Sequence, residues 1–348
     1  MVTNIVYVVG AGASKEAKLP TGHALKNNIA NLLNIKHDFD KQVHGDRIIL
    51  NAVRQYIKRR DLLETNINKY IDEAVDIKHA LPLAISIDNL LDAHKDNKIM
   101  SLCGKLAIAR SILRAEKDSL LYFKNERVDS TINFKRLGET WYLPFFQIIT
   151  ENCCAEDLEE RLNSISLIVF NYDRCIEHFL FHGFMTYYRI SKEQSSELVG
   201  HLNIYHPYGK VGDLTWENKG DATDFGEEPD PEKLLSLAER IKTFTEGTDP
   251  DSSKIVSIRD RMQNANRLGF LGFAFHKLNM DLLKPNQNPS KKIHSPVCFA
   301  TTLGISESDK KAITRQISEL YNGARVAPRM ADVKCCPFFT EFRRSLAF

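Results

Sequence analysis

Near its N-terminus the chain reads Asn4-Ile-Val-Tyr-Val-Val-Gly10-Ala-Gly12-Ala-Ser14, an apolar run that ends in small residues. The run Ile5–Val9 has the length and the β-branched residues of a buried strand. A segment compatible with a helix follows, with Leu19-Pro20-Thr21-Gly22 inside it. Strands that turn through glycines into a helix hold phosphate groups in many α/β proteins, because the backbone comes close and the helix offers N–H groups. The pattern predicts a nucleotide or dinucleotide ligand.

The same turn is compatible with a tight strand-to-helix connection that binds nothing. Gly10-x-Gly12 lacks the third glycine of the usual dinucleotide fingerprint, because Lys15 occupies that position. A Gly-Lys-Ser/Thr sequence is missing as well, which argues against a P-loop NTPase. On these residues alone, the ligand-binding and the purely structural interpretation both stay open.

Composition narrows the class of protein. The chain has 348 residues, of which 43% are hydrophobic and 26% charged, as in ordinary globular proteins. A net charge of +2 gives no general attraction for nucleic acid or anionic membranes. No apolar run reaches the roughly 18 residues of a membrane span, and the first run leads into the glycine turn rather than resembling a signal peptide. Seven cysteines without a Cys-x-x-Cys pair indicate reduced thiols in a cytoplasmic protein and no zinc ribbon.

Short apolar runs predict the sheet. The strand candidates are Ile5–Val9, Ile165–Phe170, Asn203–Tyr208, Leu268–Phe273 and Val297–Thr301. Most are continuously apolar rather than alternating, which favours a sheet buried on both faces. We therefore predict the α/β class, with a Rossmann-like parallel sheet and helices on both faces.

A long helical region separates the first two strands. Apolar residues recur at spacings of three and four in Ile48–Leu63, Ile67–Ala80, Lys98–Tyr122 and Thr140–Asn152. We expect one domain over 1–348 with a large inserted helical subdomain over about 40–160. A loop-and-helix insertion is expected over 213–265, with loops at Asp213–Pro231 and Thr245–Ser253 and helices at Pro231–Phe244 and Lys254–Asn264.

Polar residues follow the second strand in Val169-Phe170-Asn171-Tyr172-Asp173-Arg174. Side chains at the carboxyl end of a buried strand face the crevice where open α/β sheets bind ligands. The amide of Asn171 and the carboxylate of Asp173 are suited to orienting a water, a ribose hydroxyl or a carboxamide. In the alternative, Asp173 caps the helix Arg174–Phe181 and Asn171 satisfies backbone groups. These residues alone do not decide between the two.

Histidines offer three further candidates. His206, in Ile204-Tyr205-His206-Pro-Tyr-Gly209, lies near a strand end before a turn and is a candidate general base, although a purely structural histidine fits too. His201 is a second candidate for the general base, but no Pro/Gly turn follows it directly. His178 and His182 have the spacing of a metal-binding pair on a helix, but no third ligand is evident, and we predict no metal site.

Four motifs in this order resemble the sirtuin family. Gly10-Ala-Gly12-Ala-Ser14 with Leu19-Pro20 resembles the sirtuin opening, and Phe170-Asn171-Tyr172-Asp173 resembles Gln-Asn-Ile-Asp. His206-Pro-Tyr-Gly209 resembles the catalytic His-Gly segment, and Leu271-Gly272-Phe273 a later Gly-Thr/Ser strand end. The pattern is most similar to the bacterial sirtuin-like branch of NAD-degrading effectors in anti-phage defence.

The chain also departs from sirtuin deacylases. It lacks the four-cysteine zinc module that helps to shape the acyl-lysine cleft, and Thr21-Gly22-His23 stands where deacylases carry Asp-Phe-Arg. The resemblance therefore implies NAD chemistry without protein deacylation: an NAD hydrolase that releases nicotinamide and ADP-ribose. The alternatives are an NAD-dependent deacylase and a non-catalytic NAD- or ADP-ribose-binding subunit of a defence complex.

The resemblance also implies roles for single residues. Asn171, His206 and Asp173 are the expected catalytic residues. NAD, as substrate, is expected to contact Gly10, Ala11, Gly12, Ala13, Ser14, Pro20, Thr21, Gly272 and Phe273, with Thr301 or Thr302 at the adenine ribose. We expect control by homo-oligomerisation or by a partner such as a hexameric ATPase or an Argonaute-like protein. Ile48–Asn152 and Cys335–Phe348 are the expected contact surfaces, unless the C-terminal stretch simply docks onto the body.

Overall fold

A six-stranded parallel sheet forms the centre of the computed structural model, which describes residues 3–38, 41–60, 66–124, 130–218, 220–247, 252–285, 295–321 and 326–348. We number its strands β1 Ile5–Val9, β2 Ile165–Val169, β3 Asn203–Tyr205, β4 Arg267–Leu271, β5 Val297–Thr301 and β6 Arg329–Ala331. Their order across the sheet is β3-β2-β1-β4-β5-β6. The chain winds outward from β1 in one direction and then in the other, as in Rossmann-like sheets. The predicted fold class is confirmed.

Three of the five predicted strands differ from the observed ones at an end, whereas Ile5–Val9 and Val297–Thr301 have the predicted bounds. The predicted strand Leu268–Phe273 stops at Leu271 because Gly272 turns the chain with φ +54°. The predicted strand Asn203–Tyr208 stops at Tyr205, two residues before a proline that cannot donate to the ladder. Ile165–Phe170 stops at Val169. The short edge strand β6 was not predicted, because three residues give no recognisable period.

The two faces of the sheet belong to two separate cores, because successive side chains of a strand point to opposite faces. Val6 and Val8 of β1 join a core that includes Ile108. Tyr7 joins the opposite core, where its ring meets Phe145 edge-on with 5.5 Å between centroids. Every residue of β1 is buried, which agrees with the continuously apolar pattern from which a two-sided sheet was predicted.

Helices fill most of the remaining chain. Between β1 and β2 they are Ala11–Ser14, Gly22–Leu32, Arg47–Arg59, Asn68–Ala80, Ile87–Ala93, Lys98–Asp118, Tyr142–Thr150 and Leu158–Asn163, with 3-10 turns at Lys15–Ala17, Leu81–Leu83 and Phe134–Leu137. A hairpin of two antiparallel strands, Lys36–Asp38 and Lys41–His44, interrupts them. The later helices are Cys175–Tyr188, Lys192–His201, Pro231–Arg240, Phe244–Gly247, Ser253–Gln263, Lys277–Leu283, Glu307–Leu320, Cys335–Glu341 and Arg343–Leu346. Among the described residues, no helix is both long and apolar enough to cross a membrane.

Some helix predictions need correction. The segment after the glycine turn is not one helix, because Lys18 adopts φ +73° and separates the short turns from the helix Gly22–Leu32. The helix Cys175–Tyr188 runs seven residues beyond its predicted end at Phe181. The predicted loop Thr245–Ser253 begins inside a short helix. Residues 61–63 of the predicted helix Ile48–Leu63 and residues 248–251 of that loop lie outside the described residues.

A fully buried ion pair ties the helical region to the sheet. Arg174, just after β2, meets Glu116 of the helix Lys98–Asp118, with 2.5 Å from Nη2 to Oε2 and 3.1 Å from Nε to Oε1. The guanidinium also donates to the carbonyls of Thr223 and Asp224, and Glu116 accepts the N–H of Gly226. The pair thereby connects three segments that are distant in sequence.

The C-terminal stretch lies against the body of the protein. Phe338 and Phe339 are fully buried, and the ring of Phe339 stacks on Trp141 at 5.9 Å. The guanidinium of Arg267 donates to the carbonyl of Ala347 at 2.5 Å. The stretch is therefore docked onto the body, and its use as a contact surface for a partner stays a prediction.

Candidate active site

The central strands end level with one another. Val9 of β1 lies opposite Val169 of β2 and Leu271 of β4, so the residues that follow all three strands meet at one edge of the sheet. The winding direction reverses between β1 and β4, and open α/β sheets bind ligands at such a switch point. Three of the four motifs of the predicted site follow these strands.

The glycine turn packs against the end of β4. Gly12 donates its N–H to the carbonyl of Gly272 at 3.0 Å, and Gly10 donates to that of Leu271 at 2.9 Å. A Cβ atom at Gly10 would lie 2.6 Å from the Gly272 oxygen, and one at Gly12 would lie 2.8 Å from its Cα. Backbone packing therefore requires these glycines whether or not a ligand binds.

The helix after the turn offers fewer donors than we expected. It has only four residues, Ala11–Ser14, and the N–H groups of Gly12 and Ala13 already donate to Gly272 and Gly10. The expectation of free N–H groups is wrong at these two positions. Ala11 and Gly12 remain partly exposed at the surface of the turn.

Next to the turn is a cavity of about 710 Å³. Two predicted contact residues, Pro20 and Thr21, line it, together with the cationic side chains Lys15, Lys18 and Arg114. Its size falls within the roughly 300–1,000 Å³ of small-molecule sites. Arg114 is already paired with the carboxylate of Asp46 at 2.5 Å.

Asn171 and Ser14 meet although 157 positions separate them. The amide Nδ2 of Asn171 donates to Oγ of Ser14 at 2.9 Å, and both side chains are buried. The sequence left open whether the Asn171 side chain bonds to backbone groups or belongs to a ligand site. In the structure its amide donates to the side chain of Ser14, in the glycine turn. The first and second motifs are therefore in direct contact.

Asp173 binds the start of the following helix, but the helix begins at Cys175 with Arg174 at the N-cap position, one residue later than the capping alternative required. Its Oδ1 accepts the N–H of Cys175 at 3.2 Å. Burial raises the pKa of Asp173 above its usual value, although hydrogen bonds with Cys175 and Ser14 favour the charged form. The carboxyl group therefore lies between Ser14 of the glycine turn and the first residue of the helix Cys175–Tyr188.

His206 is buried beside Asn171, which brings the third motif to the other two. Its Nδ1 lies 3.0 Å from the main-chain oxygen of Asn171, and its Nε2 lies 2.9 Å from Oε1 of Glu177. Both neighbours are acceptors, so the proton on each ring nitrogen is assigned from its partner. The Nζ of Lys254 donates to the carbonyl of His206 at 3.2 Å.

Glu177 is a residue of this site that we did not predict. Burial acts to raise its pKa, but the positive charges of Lys210 and His206 outweigh burial, so the pKa of Glu177 lies well below its usual range. Lys210 lies 3.3 Å from Glu177 and 2.5 Å from Glu217. Glu177 lies in the first turn of the helix Cys175–Tyr188, and no local sequence pattern distinguishes it from the other polar residues there.

At the far end of the site, the hydroxyl of Thr301 is already bonded to backbone. Its Oγ1 accepts the N–H of Gly272 at 2.8 Å and donates to the carbonyl of Phe270 at 3.3 Å. Thr302 donates to the carbonyl of Ala331 in the same way. Phe273 is buried, with its ring 5.1 Å from that of Phe170. Contact of these residues with the adenosine part of NAD stays a prediction.

The other histidines lie away from this cluster. The rings of His178 and His182 are 4.8 Å apart, but nowhere in the described ranges do three His, Cys, Asp or Glu residues come together as metal ligands. His178 stacks on Phe225 at 4.0 Å. His201 pairs with Glu159 at 3.6 Å.

Comparison of the chain with models of known protein families gives no match, and neither does comparison with curated protein sequences.

Proposed function

We propose that this chain hydrolyses NAD at the bond between nicotinamide and ribose, as an effector of bacterial anti-phage defence. One observation carries the proposal: Asn171 joins three of the four motifs, through its amide to Ser14 and through its carbonyl to His206. A strand-to-helix connection without a ligand needs neither contact. The cavity beside Pro20 and Thr21 adds support, since the lysines lining it suit the pyrophosphate of NAD.

Hydrolysis of NAD requires the protein to position the substrate and the water and to supply a base. Because the nicotinamide nitrogen of NAD is positively charged, the bonding electrons leave with neutral nicotinamide and no general acid is needed. A water then attacks C1 of the ribose and loses a proton. In our proposal Asn171 orients the ribose or the water, His206 takes the proton, and Asp173 supports Ser14.

A second candidate is a protein that binds NAD or ADP-ribose without cleaving it. It is favoured by the ring of His206, whose nitrogens both face acceptors in the structure. Calorimetry with NAD, followed by mass analysis of the same sample, separates the two. Heat of binding with nicotinamide and ADP-ribose as products supports the hydrolase, whereas binding with intact NAD supports the second candidate.

We infer further that a hydrolase of free cytoplasmic NAD is controlled by self-association or by a partner such as an ATPase or an Argonaute-like protein. The helical region offers an apolar surface for this contact, since Leu83 is 91% and Ile85 69% exposed. Light scattering of the purified protein tests self-association, and a monomeric mass would leave only the partner.

A further inference from the structure

A second cavity, of about 910 Å³, lies between the helices Cys175–Tyr188 and Lys192–His201 and the segments 214–216 and 224–227. Among the described residues, it shares no lining residue with the cavity beside the glycine turn. Its size falls within the range of small-molecule sites. The proposed hydrolysis of NAD makes no use of it, so the chemistry of its walls has to indicate what it binds.

Aromatic rings form much of the cavity wall. Trp216 is half-buried and stacks on the buried Phe181, with 4.7 Å between the ring centroids and 3° between the planes. Phe225 stacks on His178 at 4.0 Å. The faces of such rings attract cations, because the π electrons make each face negative. The other aromatic lining residues are Tyr122 and Phe123.

Acidic side chains outnumber basic ones around the cavity. In the described part of the lining, Lys192 is the single lysine or arginine. Four carboxylates oppose it, so the described lining has a net charge of −3 when its histidines are neutral. All four acidic residues are exposed, whereas Phe181 and Phe225 are buried, so the acids surround an aromatic interior. The four are Glu193, Glu197, Asp224 and Glu227.

His178 adds a hydrogen-bond acceptor to the lining, although it is only 6% exposed. Burial above all puts the pKa of His178 well below its usual value, so the ring is neutral at neutral pH. Its Nε2 has no hydrogen-bond partner among the described residues. The hydrogen bond of the ring with the backbone of Leu121 therefore belongs to Nδ1, which leaves Nε2 as an acceptor without a donor.

The wall formed by 224–227 is fixed in place by the buried ion pair. Arg174 donates to the carbonyl of Asp224 at 3.1 Å, and Gly226 donates its N–H to Glu116 at 3.0 Å. The carboxylate of Glu227 accepts the N–H of Asp224 at 2.7 Å. Because this wall is already ordered, a ligand that binds there loses little free energy in ordering it.

We propose that this cavity is a second ligand site, which takes an organic polycation of the polyamine class. The methylene groups of such a ligand pack against the rings, while its ammonium groups face the rings and the surrounding carboxylates. A ligand with three ammonium groups balances the net charge of the described lining. The same carboxylates disfavour nucleotides and other anions. The inference does not depend on the proposed hydrolysis of NAD.

Spermidine is the probe, because it carries three ammonium groups on a flexible aliphatic chain. Octane-1,8-diol has a similar chain without charge, and magnesium chloride supplies charge without a chain. NMR of the ¹⁵N-labelled full chain follows the indole N–H signals of its two tryptophans. Trp141 is fully buried and serves as the internal control, and Trp216→Phe assigns the other signal. Calorimetry gives the Kd of wild type and variants.

We expect spermidine to shift the Trp216 signal and leave that of Trp141 in place, with a Kd below about 1 mM. Glu197→Gln should raise the Kd about two- to fivefold at low salt, because it removes one carboxylate at constant shape. Glu159→Gln, in the exposed pair with His201, should leave the Kd unchanged. Equal melting temperatures show that both variants fold.

Three results would overturn the inference. Spermidine without effect on the Trp216 signal would mean that the cavity takes no polyamine. An equal shift with magnesium chloride would reduce the site to a cluster of acidic side chains, and an equal shift with octane-1,8-diol would make it an apolar cavity without preference for charge. A Kd that Glu197→Gln leaves unchanged would place the bound spermidine elsewhere on the protein.

Discussion

Gly10, Gly12 and Gly272 meet at the ends of the central strands. Because none of them has a side chain, their backbones can approach one another closely. Gly272 is the most constrained, since it adopts φ +54° and a Cβ atom there would lie 2.1 Å from the amide nitrogen of Ala13. The glycines that suggested a phosphate-binding turn are thus explained first by packing. The stronger evidence for a site is the contact of Asn171 with Ser14 and His206.

At Gly272 we predict that alanine destabilises the fold. Left-handed backbone costs an alanine about 1 kcal/mol, and the clash with the backbone of Ala13 adds to it, for a total of about 2–4 kcal/mol. Chemical denaturation measures the loss. Gly200→Ala is the control, because nothing lies within 4 Å of a Cβ there and it sits inside the helix Lys192–His201, so it should stabilise by about 0.5–1 kcal/mol. Equal stability of Gly272→Ala and wild type would contradict this account.

The helix Cys175–Tyr188 has two roles along its length. Its first turn holds Glu177 against His206, and its middle holds His178 and His182 among aromatic rings. Burial lowers the pKa of His182 to about 4, and burial together with the positive charge of Arg174 puts the pKa of His178 well below its usual value. Both histidines are therefore neutral in the folded state at neutral pH.

From these shifts we predict that stability falls as the pH is lowered from about 6.5 to about 4. The unfolded chain takes up protons in this window while the folded state keeps both histidines neutral, so protonation favours unfolding. His182 alone should lower the free energy of unfolding by about 3 kcal/mol at pH 4. His182→Gln should flatten the dependence of the unfolding free energy on pH in this range. An equally steep dependence in the variant would show that His182 titrates normally when folded.

Sequence patterns predicted the elements better than their contacts. Strand β1 was predicted to the residue, because its run is continuously apolar and ends at a glycine. Strand β6 and the hairpin Lys36–Asp38 with Lys41–His44 were not predicted, because segments this short carry no period. Glu177 was not selected either, since its role depends on a contact with His206 across 29 positions.

At the scale of the whole molecule, the helical region and the sheet are joined through a buried charge. Arg174 lies three residues after Asn171, and its ion pair with Glu116 has no exposed side-chain surface. Because a lone charge in this place has no water to solvate it, each partner depends on the other. The same pair therefore holds the loop that carries Asn171 and Asp173 in place.

We predict that Glu116→Gln lowers the free energy of unfolding by about 3–5 kcal/mol, because it leaves the Arg174 charge buried and uncompensated. Urea denaturation measures the effect. Asp281→Asn serves as the control, since its pair with Lys284 is 41% and 48% exposed and should matter by less than about 0.5 kcal/mol. A loss as small as that of the control would mean that water or another group compensates Arg174.

The central claim is tested most directly by NAD consumption by the purified protein, with Asn171→Ala and His206→Ala beside wild type. Nicotinamide and ADP-ribose are detected by mass, and melting temperatures confirm that the variants fold. The account predicts turnover by wild type and loss of at least about 100-fold in each variant, as expected for groups that position or deprotonate the attacking water. Turnover at the wild-type rate in either variant, or binding of NAD by wild type without cleavage, would contradict it.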